Sequence, residues 1–139
     1  EAGKPRKVLE VGTGCGYQAA LLSLLAQQVI SIERLRPLFE RARENLAPLR
    51  RDNLRLVYGD GRLGHAPNAP YDAIICAAFG EDVPETWLEQ MAIGARLIVP
   101  TRSDDGPGQV LTVIDRNADG WSRRRHEAVH FVPLRSGIA

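Results

Sequence analysis

Apolar residues fall along this chain into short continuous runs, separated by stretches in which they recur every three or four positions. The runs are Lys7-Val8-Leu9-Glu10-Val11, Val29-Ile30-Ser31-Ile32-Glu33, Leu54 to Tyr58, Tyr71 to Cys76 and Ala95 to Pro100. Each is bounded by glycine, proline or polar residues, which predicts strands 1 to 5. Between them, Ala20, Leu21, Leu24 and Leu25 predict helix A from about Tyr17 to Gln27. Helix B spans about Arg36 to Leu49, with Pro37 tolerated in its first turn. Leu35, Leu38, Phe39, Ala42 and Leu46 mark its buried stripe, and Arg36, Glu40, Arg41, Arg43 and Glu44 its wet face. A third helix opens at Val83-Pro84-Glu85 and runs to about Met91.

This alternation predicts an α/β protein with a mostly parallel, doubly wound sheet. Strand 4 is nearly all apolar, as a central strand buried on both faces must be. After strand 5 the pattern changes. Only Thr101 to Pro107 separates it from the next apolar run, Gln109 to Asp115. That is too short for a crossover helix, which needs about a dozen residues, so strand 6 is predicted antiparallel beside strand 5. Asn117-Ala118-Asp119-Gly120 is a turn signal, and a last strand reaches about Val132. The expected order is 3-2-1-4-5-6-7.

Composition narrows the class. At 139 residues the chain reads as one domain, residues 1–139. A net charge of +1 argues for neither nucleic acid nor an anionic membrane as partner. No apolar run approaches the ~20 residues that cross a bilayer. Cys15 and Cys76 form no C-x-x-C pair, which predicts a reduced, cytoplasmic chain.

The chemistry concentrates where strand 1 runs into Gly12-Thr13-Gly14-Cys15-Gly16. Glycines permit a tight turn and close approach of a ligand to the backbone, and the following helix offers a positive dipole end. A dinucleotide site asks for G-x-G-x-x-G, but Tyr17 stands at the third glycine position. The acid Glu10, two residues before the first glycine, would repel a pyrophosphate. It suits a ligand carrying an ammonium and a sulfonium, which favours S-adenosylmethionine. Glu33 closes strand 2 about 20 residues on, where a carboxylate accepts from ribose hydroxyls. Asp60 in Gly59-Asp60-Gly61 is placed to accept from an adenine amine.

These residues bring a known family into view. V-L-E-V-G-T-G-C-G-Y-Q, S-I-E-R in strand 2, G-D-G-R-L-G after strand 3, P-Y-D-A-I-I-C-A-A and the terminal F-V-P-L together resemble protein-L-isoaspartate O-methyltransferases over nearly the whole chain. The resemblance implies a Rossmann-like methyltransferase domain. Its reaction is transfer of a methyl group from S-adenosylmethionine to the free carboxylate of isoaspartyl residues in damaged proteins, a repair reaction. The implied cofactor-binding residues are Glu10, Gly12, Thr13, Gly14, Gly16, Glu33, Arg34, Asp60 and Gly61. The loop Ala77-Ala78-Phe79 would wall the substrate side, with small residues leaving room for a peptide. Thr13 and Cys15 also shape the turn.

The sequence departs from the family in three places. Family members carry a sizeable segment before strand 1, with a Ser/Thr loop that helps hold the acceptor, and it has no counterpart here. The turn usually written K-P-G-G reads Ala92-Ile93-Gly94-Ala95, and Cys15 stands where serine is common. The catalytic residues are therefore unassigned. The alternatives are a cofactor-binding fragment without turnover and a methyltransferase acting on RNA or a small molecule. Because a carboxylate is already ionised at neutral pH, methyl transfer to it needs no general base. His65, His126 and His130 accordingly read as structural or surface residues. Arg123-Arg124-Arg125 reads as a charged edge strand, and no metal-ligand spacing is present.

Overall fold

In the computed structural model, residues 5–78, 80, 82–103, 106–129, 134, 137 and 138 are described. β1 (Lys7–Val11) lies inside a seven-stranded sheet, between β2 (Gln28–Glu33) and β4 (Tyr71–Cys76). With β3 (Leu54–Tyr58), β5 (Met91–Arg102), β6 (Gln109–Asn117) and β7 (Gly120–Val129), the order is β3-β2-β1-β4-β5-β6-β7. β1 to β5 pair in parallel, and β5-β6 and β6-β7 are antiparallel. The short connection after β5 thus closes a hairpin, as its length demands. β7 ends at Val129, and the expected extension to Val132 lies outside the described residues.

The central strands are apolar because both faces are covered. Leu9, Val11, Ile30, Ile32, Ile74, Leu97 and Val99 enter one core with Trp87 and Met91, while Val8 and Val29 pack with Ala26 of the helical layer. One polar residue fixes the end of this arrangement. Asp72 Oδ2 accepts from the backbone N–H groups of Arg6 (3.1 Å) and Lys7 (3.0 Å), pinning the start of β1 to β4.

α1 (Tyr17–Leu25) shows a different buried face from the expected one. Leu21, Leu24 and Leu25 are 43%, 59% and 63% exposed, whereas Ala19, Ser23 and Ala26 are buried. Small residues let the helix axis approach the sheet, and the leucines are left on the outer side. The helix stops at Leu25 because its last carbonyls find side-chain partners. Asn53 Nδ2 donates to Ser23 O and Ala26 O, and Arg51 Nη2 also donates to Ser23 O.

α2 (Arg36–Leu46) ends in a 3-10 turn over Ala47–Leu49. Of its expected stripe Ala42 is fully buried, and Phe39 packs against Tyr58 with ring centroids 5.6 Å apart. α3 covers only Glu85–Glu89. Its expected end, Met91, belongs to β5, where it pairs with Tyr71 and is 1% exposed. The departure at Ala92-Ile93-Gly94-Ala95 lies inside β5 where its pairing with β4 shifts register, and Gly94 takes φ +90° there.

The loop after β3 forms a 3-10 turn, Gly61–Leu63. Gly61 O accepts from the buried Trp87 indole at 2.7 Å, and a Cβ on Gly61 would collide with Val11 Cγ1. Gly61→Ala is therefore expected to destabilise the fold by about 1–3 kcal/mol, as overpacking in a filled core does. A downward shift of the urea midpoint at unchanged slope checks this.

Candidate functional site

The carboxyl ends of β1, β2 and β4 meet at one cleft, the place where open α/β sheets bind ligands. Its volume is about 770 Å³, within the range of small-molecule sites. Glu10, Gly12, Thr13, Gly14, Glu33, Arg34 and Gly61 line it, with Ala77 and Ala78 from the end of β4. Gly16 forms the N-terminal boundary of α1. Phe79 lies outside the described residues.

The glycine turn is held by its own backbone. Gly12, Gly14 and Gly16 take φ of +95°, +58° and +96°, a region that side chains disfavour. Gly12 N–H and Thr13 N–H donate to Ile32 O (2.9 and 3.2 Å), and Gly16 N–H donates to Thr13 O (3.0 Å). Gly14 N–H donates to Glu33 Oε1 at 2.9 Å, while Leu35 N–H donates to Glu33 Oε2 at 3.0 Å. The amides of Gly12, Thr13, Gly14 and Gly16 are thus already engaged, and an acid occupies the middle of the turn. That acid disfavours a pyrophosphate on charge.

Glu10 is the second acid. It is fully buried, with Oε1 accepting from Ser31 Oγ at 2.6 Å and Oε2 lacking a partner. Ser31 Oγ in turn lies 2.6 Å from Thr13 Oγ1. Burial pushes the Glu10 carboxyl up to about 7, opposed by its contacts with Ser31 and Gln18 and assisted by the charge of Glu33. A buried carboxylate with one oxygen unsatisfied is an attachment point for a cation or a hydrogen-bond donor.

One expected residue is placed differently. Asp60 is not part of the cleft lining; its Oδ1 caps the turn by accepting from Arg62 N–H at 3.0 Å. Arg34 lines the cleft as expected and donates its Nε–H to Gly137 O at 3.1 Å. Leu134 lines the cleft as well. Cys76, behind the β4 end, donates its thiol to Ala78 O at 3.2 Å, and burial pushes it up to about 11. It stays protonated at neutral pH and is no nucleophile. His65 lies outside the cleft lining, with its carbonyl accepting from Tyr71 OH. His126 is exposed on β7 near Arg124, and His130 lies outside the described residues. No cluster of metal-binding side chains occurs among the described residues.

The comparisons with known proteins agree with this picture. The sequence model of the protein-L-isoaspartate(D-aspartate) O-methyltransferase family matches residues 2–139. The chain belongs to that family. It is 64% identical over 137 residues to the protein-L-isoaspartate O-methyltransferase of Methylibium petroleiphilum, covering 98% of this chain and 51% of the relative. The Leptothrix cholodnii protein of the same name is 61% identical, with 96% of this chain and 47% of the relative covered. The chain therefore spans about half the length of the curated relatives it matches. Among solved structures, a protein-L-isoaspartate O-methyltransferase superposes with TM-score 0.88 at 30% identity over 97% of this chain and 44% of that one. A putative isoaspartate methyltransferase from Plasmodium falciparum, in complex with S-adenosyl-L-homocysteine, gives TM-score 0.78 at 26% identity, covering 94% of this chain and 66% of that one.

Several cleft residues escaped the reading of the sequence. Leu35 and Leu38 look like core positions of helix B, and Ile32 like the interior of a strand, yet all three line the cleft. Gln18 lines it from the first turn of α1. Ser31 carries the clearest signal in retrospect, since a hydroxyl inside an apolar strand needs a partner.

The raised Glu10 carboxyl has a consequence for stability. Its folded-state value, about 7, lies above its ordinary value of 4.5. The group's contribution is therefore fully present below pH 4.5 and is lost as pH rises through 7. The loss is about 3 kcal/mol across that window. Glu10→Gln, which cannot ionise, is expected to match the wild type near pH 5 and to be the more stable protein at pH 8. Denaturant unfolding of the ligand-free protein at the two pH values measures the difference.

Proposed function

We propose that residues 1–139 form a methyltransferase domain that binds S-adenosylmethionine. Its proposed reaction is transfer of the methyl group to the free carboxylate of L-isoaspartyl residues in damaged peptides and proteins. The observation that carries this reading is the buried Glu10, with one oxygen unpartnered, in a cleft where the Gly12, Thr13, Gly14 and Gly16 amides are already bonded. That donor set fits a cationic amino acid attached to a nucleoside and does not fit a phosphate. Family membership supports the choice of acceptor.

The methyl donor supplies a carbon made electrophilic by a sulfonium sulfur, and the acceptor carboxylate needs no base. The chain's own residues bind, orient and exclude water. Glu10 and the turn Gly12-Thr13-Gly14, backed by Gly16, are proposed to hold the amino-acid end. Glu33 and Arg34 are proposed to hold the ribose, with Glu33 also bracing the turn. Gly61, and Asp60 through the oxygen not bonded to Arg62, are proposed for the adenine. Ala77, Ala78 and Phe79 are proposed to flank the acceptor. Alignment and removal of water from the nucleophile then supply the acceleration.

The proposed setting is the cytoplasm. The supporting observations are two unpaired cysteines and no helix among the described residues long and apolar enough to cross a membrane.

One specific observation favours a second reading. The chain covers about half of its curated relatives, so a cofactor-binding core without turnover is the alternative. Fold alone does not choose the acceptor either, since an rRNA methylase from Streptococcus thermophilus shares it with TM-score 0.59 at 20% identity.

Incubation with labelled S-adenosylmethionine and an isoaspartyl peptide, beside RNA, separates these readings. Labelled peptide methyl ester is the expected product. Cofactor binding with no product marks the core without turnover, and methylation of RNA alone overturns the acceptor. In calorimetric titration with S-adenosylhomocysteine, Glu33→Ala is expected to weaken binding at least tenfold, because it removes both the proposed ribose acceptor and the brace on Gly14 and Leu35. Asp60→Ala is expected to weaken it less. Unchanged affinity in both variants overturns the residue assignments.

A further inference from the structure

The three side chains Thr13, Ser31 and Glu10 form a hydrogen-bonded chain sealed inside the protein, with exposures of 4%, 0% and 0%. It joins the glycine turn to β2 and β1. Ser31 and Glu10 are register partners on adjacent parallel strands, so the backbone itself holds them together. Apolar side chains would satisfy this part of the sheet. The hydroxyl at Ser31 has two partners instead, Glu10 Oε1 and Thr13 Oγ1.

The direction of the chain follows from its proton count. Ser31 has one hydroxyl proton. When Glu10 is ionised that proton goes to Oε1, and Thr13 must then donate to Ser31 Oγ. When Glu10 is protonated on Oε1, the chain reverses: Glu10 donates to Ser31, and Ser31 donates to Thr13. The contacts of 2.6 Å serve both states without movement of any heavy atom. Oε2 has no such arrangement and has no hydrogen-bond partner.

We propose that Ser31 is a positioning residue for Glu10, and that the Thr13–Ser31–Glu10 chain couples cofactor binding to release of one proton from the protein. This rests on the reading of the cleft as an S-adenosylmethionine site. A ligand ammonium forms an ion pair at Oε2 only when Glu10 is ionised, and the neutral carboxyl offers it a far weaker carbonyl contact. As the ligand enters, the carboxyl proton leaves to the solvent and the chain settles with Thr13 and Ser31 donating towards Glu10. The other groups facing Glu10 do not replace this role. Glu33 on β2 carries the same sign of charge and opposes ionisation, and the neutral Gln18 amide on α1 favours ionisation less than Ser31 does. Cys76 on β4 stays protonated, while Arg62, which acts electrostatically on Cys76, is paired with Asp82 at 3.3 Å.

Titration calorimetry with S-adenosylhomocysteine tests the proposal. With Glu10 ionising near pH 7, affinity is expected to rise roughly tenfold between pH 5.5 and 7, because only the ionised fraction binds. Repeating the titration at pH 6 in buffers of contrasting ionisation enthalpy should show close to one proton released. Glu10→Gln is expected to abolish both the release and the pH dependence. Ser31→Ala removes the donor to Oε1 and is expected to shift the pH dependence upward by about one unit or more. A hydroxyl with a merely structural role would lower stability without moving that profile. Wild-type binding that is tight, independent of pH and free of proton release overturns the proposal and leaves the cofactor site standing. A Ser31→Ala profile identical to wild type overturns the role of Ser31. Absence of binding at every pH removes the cofactor reading and this inference together.

Discussion

The architecture of the cleft hangs on the two oxygens of Glu33. One holds Gly14 in the turn after β1, and the other holds Leu35 at the entrance to α2. Parallel strands deliver their carboxyl ends to one side of a sheet, but the loops that follow are independent segments of chain with no reason to keep a common shape. A carboxylate accepting charge-assisted bonds from both loops supplies the reason. The backbone bonds from Gly12 and Thr13 to Ile32 O complete the brace. Once they are in place, the cleft walls exist before any ligand arrives, so binding need not order them.

Glu10 and Glu33 differ in how their charges are handled, although both are buried acids near the same turn. Glu33 spends each oxygen on a backbone amide. Glu10 has one hydroxyl donor and one empty valence. Satisfied acids hold structure together, and unsatisfied acids wait for something. The division also explains why the turn differs from a phosphate-binding loop in kind as well as in glycine spacing. Its amides at Gly12, Thr13, Gly14 and Gly16 are taken by protein acceptors, and the acids beside it make its field negative.

Much of this was legible in the residues. β1, β3 and β4 begin and end where the apolar runs do, because strands buried on both faces leave little freedom in where the pattern breaks. The antiparallel edge followed from loop length alone. What stayed hidden depends on three-dimensional choice. α1 is apolar around most of its circumference, so periodicity could not select between Leu21/Leu24/Leu25 and Ala19/Ser23/Ala26. Packing distance chose the small residues. Met91 could end a helix or begin a strand by propensity, and pairing with Tyr71 decided it. Asp60 was recognisable as an acid after β3, yet whether it turns to a ligand or caps its own loop depends on backbone angles that no side-chain pattern records. Leu35 and Leu38 show the same limit from the apolar side, since the floor of a cleft and the interior of a core are written in the same residues.

The joint between β1 and β4, pinned by Asp72, divides the sheet into halves with different folding problems. β5, β6 and β7 form a meander whose neighbours meet across tight turns; Asp115 faces Ser122, for instance. Lys7 and Asp72 meet across 65 residues. By loop-closure entropy alone, that junction costs on the order of 2 kcal/mol more to form than the hairpin pairing, and contacts of such sequence separation slow folding. The cleft stands on the expensive side of the line. Its mouth forms after the chain has been gathered from both ends, and because β1 and β4 are buried at the centre of the sheet, native-state fluctuations open that junction only near the free energy of global unfolding.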